Sequence, residues 1–202
     1  MKNELKMGLA LIGSFILSNP IVGQKAPVLI KFHDGRVMEG LGKLKNNEVK
    51  YWSQKKAKPQ YFSFQELESF RIKQGAEWGR YRSIQVKNVE GPIMLELKLA
   101  GKVSLYQQSS HGYMPTGPGG VGSVGGTGFG GGQFYAINRY YLKKENEEAI
   151  HMGSNQLFEK SFKKAASEYF KNCPSLVEKL QKREYKKKHI EEVVAYYNNK
   201  CN

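Results

Sequence analysis

Residues 28–44 read VLIKFHDGRVMEGLGKL, and they decide the fold class. Two β-branched and alternating runs meet at Asp34-Gly35, the dipeptide that gives the strongest short-range hairpin signal. Gly40 and Gly42 interrupt the second run, which suits a bulge or a sharp curl of the strand. Outward from this hairpin the pattern repeats. NNEVKYWSQ (46–54) is a third strand entered through Asn46-Asn47. After the lysine-rich loop Lys55–Pro59 comes QYFSF (60–64), and ESFRIKQG (68–75) closes the unit. Five short strands with a kinked second member predict a small, strongly bent sheet, compatible with an SH3-like or Sm-like barrel.

The β reading continues through residues 79–110. Ile93, Leu95, Leu97 and Leu99 alternate with Met94, Glu96, Lys98 and Ala100, which predicts a strand with one buried face. VSLY (103–106) is its expected antiparallel neighbour, followed by QFYAINRYYL (133–142), a charged turn at 143–148 and a last strand in EAIHM (148–152). From residue 154 the period changes. Phe158, Phe162, Ala165, Ala166 and Tyr169 fall on one helical face. Pro174 opens a second helix bearing Leu176, Val177 and Leu180, and a third carries Ile190, Val193, Val194 and Tyr197 before a polar Asn198-Asn199 tail. The expected class is α+β: a β-rich body of short antiparallel strands, with small barrel-like units among its forms, then a C-terminal helical segment.

The chain opens with Lys2 and Lys6, an apolar run from Met7 to Leu17, a break at Asn19-Pro20 and a small residue at Gly23. That is the charged, apolar and cleavable order of a secretory signal peptide. The run is too short for a membrane span, which needs about twenty residues. The expected organisation is therefore a signal peptide at 1–23, a β-rich domain at 24–153 containing a disordered glycine-rich loop at 112–132, and helices at 154–202. The expected location is the periplasm or the cell surface. Only Cys173 and Cys201 are present. In an exported chain an even pair reads as one disulfide, with two buried thiols as the alternative.

The glycine tract Gly117–Gln133 contains G-x-G-x-x-G twice, yet composition accounts for it. Ten of the sixteen residues from Gly117 to Gly132 are glycine. A dinucleotide fingerprint leads from a strand into a helix, whereas this tract leads into QFYAINRYYL, so neither nucleotide nor other cofactor is expected. Catalytic groups are scarce. Asp34 is the sole aspartate, already used by the turn, and His33, His111, His151 and His189 are scattered without ligand spacing. The reading is non-enzymatic, with no catalytic or metal residues assigned.

The formal charge of +14 comes mainly from lysine, with six arginines in the chain. It permits acidic polymers as partners. The candidate contact region is KYWSQKKAKPQYF (50–62), where Tyr51, Trp52 and Tyr61 lie among Lys55, Lys56 and Lys58. Aromatic platforms beside cations hold strands and sugars. The expected role is binding of an envelope component, a protein or a polyanionic polymer. A secreted carbohydrate-binding module or enzyme using the same loop is the alternative. Two stretches, MLELKLAGKVSLY (94–106) and CPSLVEKLQKREYKKKHIEEVVAYYNNKC (173–201), resemble a group of secreted Bacteroidota proteins of unassigned activity. These have a signal peptide, a β-rich body and a terminal CP…YN.C helical segment. Here one more residue separates Asn198 from Cys201 than that pattern has. The resemblance implies export and architecture.

Overall fold

A computed structural model describes residues 25–45, 47–115, 132–154 and 159–201. Ten strands form one antiparallel sheet. In chain order they are β1 (Ala26–Phe32), β2 (Val37–Lys45), β3 (Glu48–Trp52), β4 (Gln60–Ser63), β5 (Leu67–Gln74), β6 (Glu77–Ile84), β7 (Ile93–Leu99), β8 (Val103–Pro115), β9 (Gly132–Lys144) and β10 (Ile150–Ser154). Their order across the sheet is β10-β9-β8-β7-β6-β5-β1-β2-β3-β4. Three helices follow: α1 (Glu159–Tyr169), α2 (Pro174–Gln181) and α3 (Ile190–Lys200). The protein is α+β with a β-rich body, as the pattern predicts. Its strands are not all short, because β8 and β9 each run thirteen residues.

The Asp34-Gly35 turn forms where expected. Gly35 takes a φ of +85°, and the Asp34 carboxylate accepts from the Arg36 backbone N–H at 2.9 Å and from its guanidinium. The two strands beyond it belong to a sheet that curls. In a flat sheet β1 and β4 would stand three spacings apart, roughly 14 Å. Instead Phe32 on β1 meets Phe62 on β4 edge to face, with ring centroids 5.0 Å apart. Val28, Ile30, Phe32, Val49, Tyr51, Leu67, Phe70 and Ile72 fill the interior of this first curl. Gly40 and Gly42 serve the curl through close approach. A Cβ on Gly42 would lie 2.8 Å from a Val28 methyl, and one on Gly40 would lie 2.5 Å from the Trp52 carbonyl. Of the bulge or sharp curl expected at these glycines the curl is formed, since both keep unbroken register with β1, and Gly42 with β3 as well.

The other half of the sheet also closes. The chain leaving β6 pairs in parallel with the residue before β10: Lys87 N–H donates to the Ala149 carbonyl at 2.9 Å and Ala149 N–H to the Gln85 carbonyl at 3.0 Å. Strands four spacings apart, roughly 19 Å in a flat sheet, are thus joined around Ile84, Val86, Leu95, Leu97, Tyr106, Tyr141 and Ala149. The strand expected to bury one face, β7, serves three cores. Leu95 and Leu97 enter this second curl and Met94 packs into the first. A bulge between Leu97 and Leu99 turns Leu99 toward the helices.

The helices cover Val103, Leu105, Leu142 and Met152 with Phe162, Ala166, Phe170, Leu176, Leu180, Ile190, Val193, Val194 and Tyr197. Cys173 and Cys201 form the expected disulfide, both buried. Asn198 is no polar tail. It lies within α3, and its amide accepts from Val103 N–H and donates to Val103 C=O, both at 2.9 Å. Lys102 donates to the Cys201 carbonyl at 2.9 Å. The side chain thus completes the backbone bonds of β8 at a rung where β7 is no longer paired. The strands flanking the glycine tract run to Pro115 and from Gly132, so the loop is shorter at both ends than the expected 112–132. It joins two antiparallel partners. The segment 1–23 expected to be a signal peptide, Phe158 and the loop interior lie outside the described residues.

Candidate functional site

Register separates the candidate contact residues onto two faces. On β3, Val49 and Tyr51 point into the first curl, and Lys50 and Trp52 point outward with Tyr61 of β4, which pairs with Lys50. Tyr51 is 3% exposed, and its hydroxyl donates to the Glu39 carbonyl at 2.9 Å. It is a core residue and offers a partner no surface in this conformation. Trp52, on the outer face, is 7% exposed because lysines roof it. The Lys25 ammonium sits 4.2 Å from the indole centroid, and that of Lys50 sits 5.2 Å from it and 5.1 Å from the Tyr61 ring. Lys25 also donates to the Lys55 carbonyl at 2.9 Å, tying the first residues of β1 to the β3–β4 connection. Tyr61 is half exposed, and Lys55, Lys56 and Lys58 are exposed. Of the six expected contacts, four therefore remain at the surface. Trp52 contributes its face to lysines, each contact worth about 0.5–1 kcal/mol at exposed sites.

Carboxylates are used elsewhere. Lys31 pairs with Glu68, Lys98 with Glu96, Lys144 with Glu147, Lys171 with Glu168, Lys179 with Glu184 and Lys182 with Glu178. Among the described residues no carboxylate lies within ion-pair distance of Lys43, Lys50, Lys55, Lys56 or Lys58. Glu39 and Glu48 share this face by register, yet among the described residues its lysines outnumber its carboxylates, and it holds net positive charge.

A second cationic group escapes a reading that looks for aromatic-lysine runs. On the β5–β6 hairpin Arg71 stands opposite Arg80, Lys73 opposite Trp78 and Ser69 opposite Arg82. The signal was present: R-x-K before the Gly75 turn and W-x-R-x-R after it both have the period of two that places alternate residues on one face.

Groups able to do acid–base chemistry are dispersed. Burial, and then the Arg139 charge, hold the His151 imidazole below its ordinary value, and its neighbour is the Tyr141 ring at 5.1 Å. His189 accepts from the Lys186 N–H at 3.4 Å. Among the described residues no three His, Cys, Asp or Glu side chains are grouped to hold a metal, and no helix is long and apolar enough to cross a membrane. A shallow, open groove between α1 and α2 is lined by Lys163, Lys164, Ser167, Glu168 and Gln181.

The fold defines an α+β protein whose single sheet closes around two cores and carries a disulfide-stapled helical segment. No protein-family model, curated protein or solved structure matches the chain.

Proposed function

We propose that this is an exported, non-enzymatic protein of the periplasm or cell surface that binds a polyanionic polymer of the envelope. The observation that carries the reading is the outer face of the first curl, where Lys43, Lys50, Lys55, Lys56 and Lys58 have no carboxylate within ion-pair distance among the described residues and Trp52 and Tyr61 lie among them. The opening segment of the sequence and the Cys173–Cys201 bond support export, because disulfides persist in oxidising compartments. The test is titration of residues 24–202, disulfide intact, with polygalacturonate, dextran sulfate and neutral dextran at increasing salt. Binding of the two acidic polymers that weakens steeply with salt is the expected result. Absence of binding to both overturns the proposal. A single protein partner, crosslinked in intact cells and retained at high salt, replaces it with a protein-binding role. The half-exposed Tyr61 ring favours one second reading, a neutral sugar site, for which dextran binding indifferent to salt is the mark.

A further inference from the structure

The face of β5 and β6 that points away from the first core carries Arg71, Lys73, Trp78, Arg80 and Arg82, all exposed. Half of the chain's six arginines stand on this one hairpin. Arg71 and Arg80 are direct cross-strand partners, an arrangement in which like charges repel and weaken the sheet. Among the described residues no carboxylate comes within ion-pair distance of any of the four cations. Trp78 is 47% exposed at the end of the same row.

The scaffold beneath is rigid. Ile72 is buried, Phe70 stacks on Tyr81 at 4.4 Å, and Gln74 donates to the Tyr81 hydroxyl at 2.9 Å. Gly79 leaves room for the Gln74 and Tyr81 side chains. The outward groups are thus fixed on paired strands and not on a loop. Rungs repeat at about 7 Å along the hairpin, and partners stand about 5 Å apart across it.

We infer that this face reads an acidic glycan, with a sugar ring stacked on Trp78 and carboxylate, sulfate or phosphate groups held by Arg71, Arg80 and Arg82. The inference rests on the proposed polyanion role and supplies its ligand class and its selective site. Guanidinium is the group for this task, since its planar fork takes an oxyanion through two parallel N–H bonds, whereas a lysine acts as a point charge. The ratio of groups selects a glycan over single-stranded nucleic acid. A nucleic-acid strand offers one base plane per phosphate and calls for an aromatic per base. This face has one aromatic and three arginine forks over roughly 14 Å.

The test uses residues 24–202 with the disulfide intact, titrated with polygalacturonate and dextran sulfate, and in parallel with mixed-sequence single-stranded DNA and anionic phospholipid vesicles. Arg71→Lys/Arg80→Lys keeps the net charge and removes two of the three forks, and Trp78→Ala removes the ring. Each is expected to weaken binding to at least one of the two glycans about tenfold, with an unchanged melting curve. Lys55→Ser/Lys56→Ser/Lys58→Ser is expected to weaken binding less and mainly to flatten its salt dependence. Wild-type affinity in the Arg71→Lys/Arg80→Lys protein, with binding lost in the triple lysine variant, overturns this inference and leaves the polyanion role standing. DNA or vesicles bound more tightly than either glycan overturn the glycan class. A wild-type protein that binds none of the four overturns both.

Discussion

Asn198 offers the sharpest test of how the helical segment is held. Its amide satisfies both backbone groups of Val103, which is fully buried, through two bonds of 2.9 Å. Asn198→Ala leaves that N–H and that C=O without partners, and a buried orphan costs about 1–3 kcal/mol. The Asn198 side chain is half-buried, so water reaches the site in part and the lower half of the range applies. The expected loss is about 2–4 kcal/mol in urea unfolding of the disulfide-intact protein, or roughly 5–15 °C in melting temperature for a chain of this size. Asn198→Asp discriminates further. A carboxylate still accepts from Val103 N–H but presents no donor to Val103 C=O, so it recovers at most about half of the loss. Gly101 completes a cycle, because a Cβ there would run into the Asn198 amide. Gly101→Ala should cost stability in the parent and little in the Asn198→Ala background. An Asn198→Ala protein within about 0.5 kcal/mol of the parent, or an Asn198→Asp protein equal to it, would refute the reasoning.

Three other perturbations follow from the same geometry. Gly40→Ala drives a methyl into the Trp52 carbonyl and the Tyr51 ring, backbone and core that have nowhere to move, and should lower the free energy of urea unfolding by about 1–3 kcal/mol. Burial, and secondarily Glu96, push the Tyr81 hydroxyl up to about 12 from its ordinary 10. A raised folded value means that this contribution is whole below about pH 10 and is lost as pH climbs to about 12. Tyr81→Phe should therefore unfold with a flatter dependence on pH in that window, and an unchanged slope would contradict the assignment. Removing the disulfide by Cys173→Ser/Cys201→Ser should cost about 3–4 kcal/mol. Hydrogen exchange should show protection falling in α2 and α3 well before β1–β5; uniform loss would mean that the bond does not act locally.

Local features were legible in the sequence and distant closures were not. The Asp34-Gly35 turn, the period-two alternation and the Pro174 helix start act within a few residues, so pattern alone placed them. The join between Lys87 and Ala149 spans more than sixty residues and uses only backbone atoms, for which no side chain gives a sign. Leu99 shows the same limit: its alternation with Leu97 is correct as spacing, but a bulge redirects it to another core. Asn198 next to Asn199 looks like a helix end in any composition-based reading, and only the missing rung at Val103 gives it work. At the candidate site the lysines and Tyr61 were visible as a run. Trp52 and Tyr51 differ only in parity along β3, which sends one beneath lysines and the other into the core. The β5–β6 cations were split by a turn and became one group only when the strands paired.

Strand β6 belongs to both cores at once. Tyr81 packs into the first, Ile84 into the second, and the face bearing exposed Arg80 and Arg82 becomes interior two residues further on. Exterior and interior exchange sides along one continuous strand, in the manner of a ribbon wound first one way and then the other. A slip of β6 by a single residue would therefore empty both cores together. Neither curl can be cut away as an independent module, because no residue between them serves only as a linker. The two curls should unfold in one transition, and insertions that other proteins accept between domains have no neutral place in this strand.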